Sequence, residues 1–171
     1  MKNISLILLI VSLFLFWSVA LAKEAKERQE YTSPDGRYRA VVIPLPKAPY
    51  GSGESKIEIR TTKDALLCSE SYGSEDGEHG FGVEHAAWTS DSKFFVYSMS
   101  SSGGHQAWHF PTYFIAASDF KIRSLDNYLG LITDPAFELI EPDIIHVVGH
   151  SLDALEKEAD FRVSLSKLLT K

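Results

Sequence analysis

The sequence predicts an all-β fold made of antiparallel sheets. Three observations carry that expectation. Runs of β-branched and aromatic residues recur at intervals of about ten residues. Turn-forming residues separate them. A turn-plus-strand unit also occurs twice, beginning at Ser33 and again at Thr89. The chain has 171 residues, 44% of them hydrophobic and 23% charged, a balance that favours a packed core over disorder.

The elements follow in order. Met1 and Lys2 precede an almost wholly apolar run from Ile4 to Ala22, which ends in Ala20-Leu21-Ala22. A positive start, an apolar stretch and a small-x-small end make residues 1–22 a secretory signal peptide, cleaved after Ala22. An uncleaved anchor is the rival reading, since the run approaches spanning length. No later stretch is apolar enough to span a bilayer, so stable membrane insertion is not expected once the signal is removed. The expected location is periplasmic or secreted. Residues 23–30 are a charged leader, expected to be a loose tail, and residues 31–171 are expected to form a single β domain.

Ser33-Pro34-Asp35-Gly36 reads as a turn, and Arg37 to Ile43 as the strand it opens. Pro44, Pro46, Pro49, Gly51 and Gly53 then break the chain. Lys56 to Arg60 alternates apolar and polar residues, as a strand with one wet face does, and Ala65 to Ser69 returns as its partner. Residues 70–84 are a Gly- and acid-rich loop. Glu84 to Trp88 and Lys93 to Ser98 flank the turn Thr89-Ser90-Asp91-Ser92. Phe110 to Ala116 and Lys121 to Leu125 flank another at Ser118-Asp119. Phe137 to Ile140 and Ile144 to Val148 close the series. The tail from Ser151 mixes helical and strand spacing, and is expected to be a short helix or loop followed by a final strand. The candidate core is Tyr38, Val41, Ile57, Ile59, Leu66, Trp88, Phe95, Tyr97, Phe114 and Ile122.

Composition excludes some functions. With 17 basic against 23 acidic residues, the chain lacks the positive charge that nucleic-acid binding requires. One cysteine permits no internal disulfide, and Cys68 in Ala65-Leu66-Leu67-Cys68 reads as a small buried side chain.

The two turns share a polar start, a central Asp, a basic residue and an aromatic that opens the strand: Ser33-Pro34-Asp35-Gly36-Arg37-Tyr38 and Thr89-Ser90-Asp91-Ser92-Lys93-Phe94. The second is preceded by Trp88. This resembles the WD-like β-propeller repeat of the TolB type, whose blades carry Trp-Ser-Pro-Asp-Gly-Lys. The second copy lacks the Pro and the Gly, and the first has Thr32 in place of the Trp. The resemblance covers residues 31–125 and implies two propeller-like blades extended by C-terminal strands. A closed ring needs at least about four blades of over 40 residues each, more than the chain holds. The expectation is therefore a small open packing of sheets, or a unit that associates with other copies. More broadly, the chain resembles a group of exported bacterial proteins with no activity to carry over.

The stretch from Ser100 to Tyr113 holds the candidate site. His105, Trp108, His109 and Tyr113 offer flat apolar faces with polar edges beside the flexible Gly103-Gly104, which suits a protein, peptide or glycan ligand. The alternative is a hairpin loop whose Trp108 and Phe110 enter the core. No catalytic residue, metal ligand or cofactor is assigned. A metal built on His105 and His109 with Glu78, His79, Glu84 or His85 lacks a recognisable ligand pattern. The acidic run of residues 74–80 lacks EF-hand spacing. Ser101 with either histidine lacks a Gly-x-Ser-x-Gly elbow, and Ser164-Leu165-Ser166-Lys167 sits too near the end for a Ser-x-x-Lys site. The expected function is an exported non-enzymatic binding or interaction module. The alternatives are a small periplasmic hydrolase, with or without metal assistance, and an inhibitor of a periplasmic enzyme.

Overall fold

The computed structural model describes residues 27–45, 53–103, 108–151 and 154–170. They form three antiparallel sheets of four strands, none closed into a barrel or propeller. The expected signal peptide and the first half of the leader, residues 23–26, lie outside the described residues, as does His105. Among the described residues no helix is long and apolar enough to cross a membrane.

The first sheet is a meander of β1 (Gln29–Thr32), β2 (Tyr38–Pro44), β3 (Ser55–Thr61) and β4 (Leu66–Ser71). The second repeats it with β5 (Phe81–Trp88), β6 (Phe94–Ser101), β7 (Thr112–Ala116) and β8 (Ile122–Ser124). The third holds β9 (Gly130–Ile132), β10 (Glu138–Ile140), β11 (Ile144–Ser151) and β12 (Ala154–Ser164). Here β9 and β10 both pair with one side of β11, and β12 takes the other. Among the described residues there are also two four-residue helices, α1 (Asp126–Leu129) and α2 (Leu165–Leu168). The C-terminal strands thus make a sheet of their own beside the two expected blades.

Three expectations are corrected. Gln29 and Glu30 belong to β1, because their backbone pairs with Val42 and Val41. The tail runs strand then helix, since Ala154–Ser164 completes the pairing of β11 and leaves Leu165 and Leu168 to plug the core from α2. Leu66 is 51% exposed at the open edge of its sheet and is not a core residue.

Strand alternation distributes the core. Successive side chains point to opposite faces, so the middle sheet contributes to two cores. Phe95, Tyr97, Met99 and Ile115 meet Ala40, Val42, Ile57 and Ile59 of the first sheet. Phe94, Val96, Phe114 and Ala116 meet Ile132, Ile145, Val147 and the α2 leucines. β5 keeps this division only by breaking its own alternation. A register shift between Val83 and His85 puts Val83 and Ala86 into the same core, while His85 turns to Phe137 with ring centroids 4.4 Å apart.

The outer face of the first sheet is charged. Glu58 bridges Lys56 and Arg60, each at 2.7 Å, and Asp64 accepts from Arg39 at 2.7 Å. Val41 is fully buried on this face, away from the main core.

The two turns match bond for bond. Ser33 Oγ donates to Asp35 Oδ1 and accepts from the Tyr38 amide, while Asp35 Oδ1 also accepts from the Arg37 amide. Thr89 Oγ1, Asp91 Oδ1 and the Phe94 and Lys93 amides repeat that set. The turns touch directly, the Asp35 amide donating to Ser92 Oγ at 3.0 Å. Trp88 Nε1 donates to the Tyr31 carbonyl beside them at 2.8 Å.

Candidate functional site

The segment entering β7 carries Trp108 and His109. The Phe110 amide donates to the Ile132 carbonyl at 2.8 Å, and the Pro111 carbonyl accepts from the Met99 amide at 3.0 Å. Backbone bonds at Phe110 and Pro111 therefore fix the end of this segment, just after His109, against the third sheet and the middle sheet. Trp108 is 69% exposed, its ring centroid 5.9 Å from that of His109. The competing expectation that Trp108 packs into the core is excluded by that exposure. Phe110 is half-buried.

His109 is held from behind. Its Nε2 lies 2.6 Å from Asp126 Oδ1. Asp126 stands in the first turn of α1, and also accepts from the Thr112 amide at 3.0 Å and the Ile132 amide at 3.2 Å. Its carboxylate orients the ring and closes the corner between β7, β8 and β9. With Nε2–H donated to Asp126, Nδ1 of the neutral ring becomes an acceptor. Sequence reasoning did not single out Asp126. Its signal was an acidic residue just after a strand, a feature shared by several others in the chain.

Tyr113 is not beside Trp108. On β7 it faces the first sheet, stacked on Tyr97 at 5.4 Å and 5.5 Å from Tyr72. Tyr72 and Tyr97 join their hydroxyls at 2.6 Å. Burial pushes the pKa of all three phenols up and keeps them protonated; the nearby Asp126 and Glu70 charges push that of Tyr113 up further. Tyr113 therefore belongs to the core shared with the first sheet.

A second polar cluster secures the base of the same loop. Glu54 is 2% exposed and accepts from the Ser74 amide (2.9 Å) and hydroxyl (2.6 Å), the Gly80 amide (2.7 Å) and the Ser102 hydroxyl (3.0 Å). Burial works to raise its carboxyl, but the hydrogen bonds from Ser74, Ser102 and Gly80 prevail and hold it below the ordinary value. Gly80 is required here, because a Cβ would lie 2.3 Å from the Tyr72 carbonyl oxygen. The Ser102 contact ties this loop to the start of the segment that leads to Trp108.

The other candidates scatter. In the acidic loop, Asp76 accepts from the Ser74 hydroxyl, the Glu78 amide and the His79 ring, so its oxygens shape the loop. Glu84 accepts from Ser100 and His85 packs on Phe137, whereas His79 pairs with Asp76. Ser101 Oγ accepts from the Gly103 amide at 3.4 Å. In Ser164–Lys167, Ser164 caps α2 and donates to Asp143 at 3.0 Å. Among the described residues no three His, Cys, Asp or Glu side chains converge as a metal site. Cys68 is half-buried on β4, and burial pushes its thiol up, away from a reactive thiolate.

Comparison with known proteins found no family model, no curated protein and no solved structure that matches this chain.

Proposed function

We propose that the chain is an exported, non-enzymatic binding or interaction module whose contact surface centres on Trp108 and His109. One observation carries this reading: an exposed indole stands beside an imidazole that Asp126 locks in place. Large aromatic rings on a fixed backbone give contact area at little entropic cost. The apolar leader ending in Ala20-Leu21-Ala22 supports export, and the doubled Asp turn supports a propeller-type ancestry of the TolB kind.

The test is capture of partners from periplasmic and secreted material on immobilised protein, compared with a Trp108→Ala/His109→Ala variant whose circular dichroism and melting match the parent. A specific partner lost with the variant supports the reading, whether that partner is a glycan, a peptide or an enzyme being inhibited. Equal capture by both proteins overturns it.

The His109–Asp126 pair favours hydrolysis as a second reading, because a carboxylate that fixes an imidazole is the arrangement a general base uses. Assay of the purified protein against ester, peptide and glycoside substrates, with and without a chelator, separates the two: turnover lost in His109→Ala moves the weight to a hydrolase, and its loss with chelator to a metal-assisted one.

A further inference from the structure

We propose that the Trp108–His109 surface binds a neutral carbohydrate, an inference that rests on the binding-module reading above and names its ligand class. The argument is one of elimination by charge. Asp126 is the carboxylate that contacts His109, and its oxygens already accept from His109 Nε2, the Ile132 amide, the Thr112 amide and, at 3.4 Å, the Ser124 hydroxyl. It is only 12% exposed, so it has little left to offer a cationic group. An anionic ligand meets the opposite difficulty. Any positive charge on His109 is already opposed by Asp126 at 2.6 Å, and the chain as a whole carries a charge of −6.

What the surface presents to a ligand is an indole face and an imidazole edge. The indole is an apolar platform broad enough to cover one face of a sugar ring, where the C–H groups lie. The imidazole has Nε2 taken up by Asp126, which leaves Nδ1 as the ring nitrogen for a ligand hydroxyl, a group that can either donate or accept. The rings are 5.9 Å apart and inclined by 39°. A ligand with one apolar face and hydroxyls at its rim satisfies both, and a pyranose is such a ligand.

The test uses the indole and amide signals of Trp108 and His109 in nitrogen-15 NMR spectra of the full chain. The probes are cellotetraose, maltotetraose and a tetramer of N-acetylglucosamine, with tetralysine and inorganic phosphate as charged controls. The expected result is a saturable shift at Trp108 and His109 with at least one sugar and with neither control. Trp108→Ala is expected to weaken that sugar about tenfold or more, and His109→Phe, which keeps the ring but loses the acceptor, by several-fold. Shifts at Trp108 with tetralysine or phosphate but with no sugar overturn the carbohydrate class and leave the site standing. Sugar shifts confined to residues away from Trp108 overturn the site itself. No shift with any sugar at tens of millimolar overturns the proposal.

Discussion

Removing the Glu54 carboxylate tests the account of the loop that leads to the site. Hydrogen bonds to a charged group are each worth about 1.5–3 kcal/mol. Taking the carboxylate out of water returns part of that gain. With donors from Ser74, Gly80 and Ser102 directed at it, Glu54→Ala is expected to cost about 2–4 kcal/mol, because these groups lose their acceptor in a site only 2% exposed. Glu54→Gln is milder, at about 1–2 kcal/mol. Its carbonyl can replace Oε1, which serves the Gly80 amide and both hydroxyls, but its NH2 then faces the Ser74 amide that Oε2 serves in the parent. Urea unfolding at pH 7 measures both, read as a lower midpoint at unchanged slope. The pH dependence gives an independent check. Folding depresses this carboxyl below its ordinary value of 4.5, so its contribution is complete above that pH and is lost as pH falls through the lower, folded value. The gap between parent and Glu54→Gln must therefore narrow under acid conditions. An alanine variant within about 0.5 kcal/mol of the parent, or a gap that ignores pH, refutes the reasoning.

Other outcomes follow from the same geometry. Asp126→Ala is expected to cost about 1–3 kcal/mol and to speed hydrogen exchange at the Thr112 and Ile132 amides, which it now holds; unchanged exchange there contradicts the assignment. Gly82→Ala should destabilise by about 3 kcal/mol or more, since its Cβ would lie 1.6 Å from the Gly53 carbonyl oxygen, whereas Gly36→Ala meets no atom and bears only the roughly 1 kcal/mol cost of positive φ. Thermal melts of the two variants should rank them in that order. The Arg37 amide, the Ser33 hydroxyl and the Arg37 guanidinium hold the Asp35 carboxyl down to about 2; its stabilising effect is present above 3.8 and fades as pH falls through about 2. A carbon-13 titration that finds its midpoint near 4 contradicts the turn geometry.

Much of the fold was legible because it was local. The Pro-Asp-Gly turn, the alternation of Lys56 to Arg60 and the Asp91 turn each declare a hairpin within a few residues. What escaped depended on distant partners. The bulge in β5 breaks alternation for the sake of two separate cores, so Val83 and Ala86 look out of phase until both neighbouring sheets are present. Leu66 reads as core by its side chain and is exposed by its edge position. The tail satisfied both periodicities over residues 152–165, and its strand was decided by pairing with β11. At the site, aromatic and imidazole content marked Trp108 and His109. Asp126, which orients the histidine, joins it only when β8 and α1 fold back, and Tyr113 belongs to the tyrosine stack because of its parity on β7.

The two-faced middle sheet also bears on how the chain is made. Synthesis runs from the N-terminus, so β6 and β7 emerge beside a first sheet ready to cover Phe95 and Tyr97. Their other face, with Phe94, Val96 and Phe114, stays wet until Ile145, Val147 and the leucines of α2 arrive at the end of the chain. For that interval a band of aromatic side chains is open to solvent and to other chains, the condition under which intermediates aggregate. A truncation before residue 144 makes the interval permanent, and such products are expected in the insoluble fraction even though two of their three sheets are complete.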